Sequence, residues 1–265
     1  MKKLIGIYLI ITSVLLFSCE KEQSPQAFPL KTQFNLTVDG LVAHYSFDGN
    51  ANDQSGNNLN AVVNGAILTN DRFGRENSAY SFDKNQDIIV PYTEELNLYP
   101  ISISLWYYVS EINDNERCNI FSKYSSAAWN GYQIKIGDYR NVGNNDGNGD
   151  VYFNTGFGTN AWYIRDSKNR VLGFYSEAPF LQSGVATNVW YHYVFIIDDT
   201  GGKIFVNGKL ITAHSWTGTP GSCNNSYMWK IGGKYDHWFR GKIDDIRIYN
   251  RPLSQEEISF LFDQN

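Results

Sequence analysis

The sequence predicts an all-β sandwich, and three observations carry that prediction. Short runs of alternating apolar and polar residues recur along the chain, separated by turns rich in Gly, Asn and Asp. Aromatic residues make up 15% of the chain and charged residues only 18%, which suits half-buried strands better than helices or disorder. Helical patterns long enough to cross between parallel strands are absent, so a parallel α/β fold is not expected.

The elements follow in order. Residues 1–18 read as a secretory leader: Lys2 and Lys3 precede an apolar run from Leu4 to Phe17. That run is too short for a stable transmembrane helix and has the length of a signal-peptide core. Leu16-Phe17-Ser18-Cys19 resembles a bacterial lipobox, which implies cleavage before Cys19 and its acylation. Cys19-Glu20-Lys21-Glu22 resembles the acidic export tags of Bacteroidetes lipoproteins, which implies the outer face of the outer membrane. Residues 19–34 hold Gln, Ser, Pro and Lys without a hydrophobic period and read as a flexible tether. Residues 35–265 then form one domain, long enough to bury a large core.

Within that domain, Leu41 to Phe47 alternates, with Ala43, Tyr45 and Phe47 on one face. Ala79 to Phe82, Asp87 to Val90, Ile101 to Val109, Asn119 to Lys123, Gly131 to Ile136 and Val171 to Ser176 are further strands. From Trp190 to Ile197 both faces are apolar, which predicts a central strand. Asn207-Gly208 is a two-residue hairpin turn, because both residues tolerate positive φ. Lys209 to Thr212, Trp229 to Gly232 and Lys242 to Tyr249 complete the strands. One helix is expected, over Gln255 to Phe262, with Ser254 and Glu257 forming a capping box. Residues 137–187 are irregular, and Gly143 to Asp150 reads as a loop.

Four ordered stretches carry a family resemblance. They are Leu41–Asn57, Asp71-Arg-Phe-Gly74 with Ser78–Asp83, Trp190–Phe195 with Ile204–Lys209, and Phe239–Ser254. Together they resemble a laminin G-like, concanavalin A-like jelly-roll domain of the bacterial type. The resemblance implies a two-sheet antiparallel jelly roll, often with one structural calcium.

Charge and cysteine count limit the partners. Loss of Lys2 and Lys3 with the leader takes the net charge from −5 to about −7. A nucleic-acid partner is therefore not expected, and a membrane would be met only through the lipid anchor. Cys118 and Cys223 can form one disulfide in an oxidising envelope, with two free thiols as the alternative.

Calcium takes six to eight oxygens from carboxylates, amides and carbonyls. Asp48, Asn50, Asn52 and Asp53 cluster after the first strand, and Asp244 is expected to share a face with Ile246 and Ile248. A carboxylate on an apolar face must be neutral, hydrogen-bonded or metal-bound. The resemblance places the two segments side by side, so Asp48, Asn50, Asp53 and Asp244 are the expected Ca2+ ligands, with Asp245 in reserve. Turn capping by the same residues is the alternative. An EF-hand is excluded, since Asp53 and Leu59 stand where a loop starting at Asp48 needs Gly and Glu.

Enzyme motifs are not found. The Glu-x-Asp-x-x-Glu strand of related glycoside hydrolases is missing, and Gln133 in Tyr132-Gln-Ile-Lys135 is only a faint echo of polysaccharide lyases. The four His residues show no metal spacing, and His192 reads as core. Sugars present apolar CH faces and hydroxyls, so loop tryptophans among Asn, Asp and Gly suit glycan binding. Trp129, Trp162, Trp216 and Trp238 occupy such contexts, whereas Trp106 and Trp190 lie in strands. The expected function is a surface lipoprotein that binds a glycan. Protein adhesion is the main alternative, and a hydrolase or lyase the lesser one.

Overall fold

The computed structural model describes residues 38–111, 117–125, 130–137, 150–156, 164–165, 171–172, 174–175, 186–215, 224–233 and 238–264. The strands are β1 (Leu41–Tyr45), β2 (Val62–Asn64), β3 (Ile67–Thr69), β4 (Ala79–Phe82), β5 (Asp87–Val90), β6 (Ile101–Val109), β7 (Arg117–Ser125), β8 (Asn130–Gly137) and β9 (Asp150–Gly156). They continue with β10 (Ile164–Arg165), β11 (Val171–Leu172), β12 (Phe174–Tyr175), β13 (Trp190–Asp198), β14 (Gly201–Val206), β15 (Lys209–Ser215), β16 (Trp229–Gly232) and β17 (Gly241–Tyr249). The helix α1 (Gln255–Asp263) follows them.

Two antiparallel sheets form the body. The first runs β15-β14-β13-β6-β17-β4-β3, with β1 also pairing β17, and the second runs β12-β9-β8-β7-β16-β5-β2. The two-sheet all-β sandwich expected from the sequence is therefore present. β13 lies between β14 and β6, as its two apolar faces require. Asn207 and Gly208 both have positive φ, joining β14 to β15 where Val206 pairs with Lys209.

The core lies between the sheets. Ile101, Ile103, Leu105, Tyr107 and Val109 of β6 point into it, beside Tyr191, Tyr193, Phe195 and Ile197 of β13. The second sheet contributes Ile88, Val90, Phe121, Tyr132, Ile134, Trp229 and Ile231. Trp229 Nε1–H donates to Tyr132 Oη at 2.9 Å, so this buried indole keeps its hydrogen bond. The first sheet is apolar on its other face too. There Val194, Ile196, Phe205 and Tyr249 pack against Leu253, Ile258 and Leu261. The capping box forms as expected, with Glu257 also clamped by Arg251 at 2.9 Å. This helix covers the apolar part of the first sheet's outer face.

Three differences have physical reasons. β2 and β3 escape a sequence reading because each is a three-residue edge strand, with Val62 and Ile67 exposed. Val171 to Ser176 is not one strand: β11 pairs with β10, whereas β12 pairs with β9 in the second sheet. Asp244 does not share a face with Ile246 and Ile248. β17 bulges between Asp244 and Arg247, and Asp245 has φ +43°. The extra residue turns both carboxylates to the outer face of the sheet, while Ile243, Ile246 and Ile248 stay in the core.

Candidate functional site

The bulge meets two other segments on the outer face of the first sheet, midway along β17 where pairing passes from β4 to β1. The loop after β4's partner strand β3 begins with Asp71, whose carboxylate accepts from Phe73 N at 2.9 Å, Arg75 N at 2.8 Å and Arg75 Nε at 2.6 Å. An Asp that bonds the backbone two residues on makes a compact turn. Burial opposes the charge on Asp71, but these Arg75 and backbone bonds hold its pKa below the usual carboxylate range. The turn presents Arg72, Phe73 and Arg75 together. Phe73 is 45% exposed, with the Arg72 and Arg75 guanidinium carbons 4.4 and 5.4 Å from its ring centroid.

Arg72 runs back from this turn into the sheet. It lies 4.5 Å over the Trp106 ring and donates to Asp244 Oδ2 at 2.7 Å and to the Gln264 carbonyl at 3.4 Å. Asp245 stands on the far side, where its Oδ1 takes His44 Nε2 and Arg247 Nε, each at 3.0 Å. The two acids therefore have opposite characters. Burial, with Asp245 adding repulsion, pushes the Asp244 carboxyl up to about 7 against the pull of Arg72. Burial also opposes charge on Asp245, but His44 and Arg247 hold it well below the usual range.

The third segment is the end of β1. Ser46, Asp48 and Gln54 join His44 around an open pocket of about 210 Å³. Arg72, Arg75, Arg247, Asp244, Asp245 and Gln264 form the rest of the wall. The wall thus mixes donors and acceptors, with charges of both signs in near balance.

The calcium ligands expected from the sequence are only partly brought together. Asp48 and Asp244 line this pocket. Asp53 is turned into its own loop, where its carboxylate accepts from His44 N, Ser55 N, Ser55 Oγ and Leu59 N between 2.8 and 3.0 Å. Asn50 Oδ1 accepts from Asn52 N at 2.8 Å, a turn-capping role. Among the described residues no group of three or more His, Cys, Asp or Glu side chains could hold a metal ion. This donor set does not fit calcium: the Asp53 oxygens are committed to N–H and O–H donors, and Arg72 already supplies a cation beside Asp244.

Trp238 is partly buried in the segment entering β17. Trp129, Trp162, Trp216, Cys19 and Cys223 lie outside the described residues, and Cys118 lies partly buried on β7. Gln133 is buried on β8. Sequence reasoning missed Arg72, Phe73 and Arg75 as site residues. Their signal was present in Asp71-Arg-Phe-Gly74, quoted only as a family motif.

Fold and pocket together define a jelly-roll domain with a polar pocket on the outer face of its first sheet. The chain belongs to the concanavalin A-like lectin/glucanases superfamily, whose sequence profile matches residues 82–259. It is 23% identical over 222 residues to Paraclostridial mosquitocidal protein 1 of Paraclostridium bifermentans, a match covering 79% of this chain and 16% of that toxin. The solved binding domain of the same toxin superposes with a TM-score of 0.62 at 20% identity, covering 85% of this chain and 52% of that one. Domain 4 of AbnA, a GH43 extracellular arabinanase from Geobacillus stearothermophilus solved with arabinotriose, gives a TM-score of 0.60 at 20% identity. That superposition covers 84% of this chain and 98% of the domain. At these identities the structural likenesses show the fold.

Proposed function

We propose that this chain is a glycan-binding module, held at the bacterial cell surface by a lipid on Cys19, with the pocket beside Phe73 as its site. The observation that carries the reading is the pairing of an exposed aromatic ring with a pocket wall of mixed donors and acceptors. Sugar rings stack their CH faces on aromatics and share hydroxyls with planar carboxylates and guanidinium groups. The likeness to the toxin's binding domain and to an arabinanase domain solved with arabinotriose supports a module that holds a ligand rather than one that cuts it.

On a glycan array, the mature chain is expected to bind a defined set of glycans. Phe73→Ala should lower that affinity about tenfold and Asp48→Ala should weaken it, with little change in melting temperature, since both residues are exposed. On our reading Arg72 supplies the positive charge that the sequence suggested for calcium, so titrations in calcium and in EGTA should coincide. A calcium-dependent gain would restore the metal. Retention of a protein ligand with no glycan response would favour adhesion, and release of reducing sugar would reinstate an enzyme. The anchor has its own test: Cys19→Ala should abolish labelling by radioactive palmitate, and unchanged labelling removes the lipid from the account.

A further inference from the structure

Behind the Arg72 side of the pocket wall lie three buried nitrogens that the contacts around the pocket leave unused. Arg72 Nε, Trp106 Nε1 and His192 Nδ1 are buried, and among the described residues none of the three has a hydrogen-bond partner. The three groups are neighbours. Arg72 lies over the Trp106 ring at 4.5 Å, and the Trp106 and His192 rings are 5.1 Å apart. Arg72 and Trp106 are each 8% exposed and His192 is 1% exposed. Buried polar groups are almost always paired in native proteins, so three unpaired nitrogens on adjoining side chains call for a partner. Each is costly if left unmet.

The cover over this cluster is thin. Phe262 stacks on Trp106 at 5.8 Å and on His192 at 6.0 Å, and Gln264 both lines the pocket and holds Arg72 through its carbonyl. Phe262 is only partly buried, and α1 ends without a basic residue in its last turn, on an extended Gln264. The last turn of α1 thus covers the cluster with a partly buried ring and an end whose carbonyls have no basic side chain beside them.

The chemistry of the cluster limits what it can take. Arginine and indole N–H groups only donate, so the incoming group must offer oxygen lone pairs. His192 is neutral, because burial pushes its pKa down to about 3, and Ser104 Oγ lies 2.8 Å from its Nε2. Its Nδ1 can therefore donate or accept according to tautomer. The two arginines beside the cluster are already paired, Arg72 with Asp244 at 2.7 Å and Arg247 with Asp245 at 3.0 Å. A carboxylate or sulfate would add an unmatched anion in a poorly solvated place.

We infer that the pocket continues beneath Phe262 and Gln264 into a subsite for the vicinal hydroxyls of an uncharged terminal sugar, which bond Arg72 Nε, Trp106 Nε1 and His192 Nδ1. This rests on the glycan reading of the pocket and adds the part of the ligand that enters and its lack of charge.

The test uses the full chain with 15N-labelled tryptophan, the Trp106 indole signal being assigned with Trp106→Phe. Arabinotriose and neutral methyl hexosides are titrated beside their uronic-acid counterparts. At least one neutral sugar should move the Trp106 indole N–H signal saturably, and the acidic counterparts should not. Trp106→Phe should lower affinity for that sugar about two- to tenfold, the worth of one neutral hydrogen bond. Its melting temperature should fall only modestly, since the phenyl ring keeps part of the stacking on Phe262 and loss of the unpaired donor offsets some of the lost packing. Neutral sugars that bind through Phe73 while the Trp106 indole stays still would overturn the subsite and leave the pocket standing. A preference for the acidic sugars would also overturn it. No binding by any sugar would overturn both.

Discussion

Arg72→Met is expected to lower the free energy of unfolding by about 3–5 kcal/mol, the usual cost of removing one partner from a buried ion pair. The Arg72 and Asp244 side chains are 8% and 2% exposed, and they meet at 2.7 Å. Methionine fills much of the same volume between Trp106 and Phe73, so the loss reports charge more than packing. Without the guanidinium, Asp244 faces Asp245 in a dry site and must take up a proton. Its carboxyl is already pushed up to about 7 by burial and by Asp245 while Arg72 is present. A carboxyl whose folded pKa exceeds the unfolded value binds more protons in the native state, so it destabilises as pH rises. The deficit of Arg72→Met should therefore widen from pH 5 to pH 8. Urea denaturation at those two values checks this. Adding Asp244→Asn should recover most of the loss, because no buried charge is then left alone. A single variant that loses under 1 kcal/mol at pH 8 would show that the pair carries little.

The second large effect belongs to His192. Burial against Trp106, Phe262 and the sheet pushes its pKa down to about 3, from an ordinary value near 6.5. Below pH 6.5 the unfolded chain binds a proton that the folded chain refuses until about pH 3. Stability is thus fully present above pH 6.5 and is lost as pH falls through that window, by up to roughly 4–5 kcal/mol at its lower end. Asp71, Asp198 and Asp245, all held below the usual carboxylate range, add acid sensitivity near the bottom of the same window. His192→Gln separates the terms. It keeps a polar group for Ser104 Oγ but cannot take up a proton. Its stability should decline less steeply than the parent's between pH 6.5 and 4.5, where the carboxylates contribute least. Parallel pH curves for the two proteins would refute the assignment.

The legibility of this chain divides along physical lines. Tyr191 to Ile197 announces a strand buried on both faces, and Asn207-Gly208 announces a turn, because local φ preferences and hydrophobic period are written in adjacent residues. Ser254 and Glu257 announce their capping box for the same reason. β2 and β3 are three residues each and half exposed, so they carry no period to read.

The site was legible only in pieces. Asp48 stood out as part of an Asp/Asn cluster after the first strand, and Asp244 as an acid expected on an apolar face, where a carboxylate needs a partner. The partner the structure gives Asp244 is Arg72, 172 residues away in sequence and so invisible to local pattern. Asp53 shows the converse. Its spacing suits a metal loop, but its carboxylate closes the loop on His44, Ser55 and Leu59 instead.

The sequence by itself determined the all-β sandwich, the central strand, the hairpin turn and the capped final helix, because each follows from short-range pattern. Only the tertiary structure decided what Asp244 does. One extra residue in β17 reversed the face it occupies, and a long-range pairing chose an arginine as its counter-charge. It also brought Trp106, His192 and Arg72 together under α1, since residues on three different segments become neighbours only when the sheet and its covering helix close.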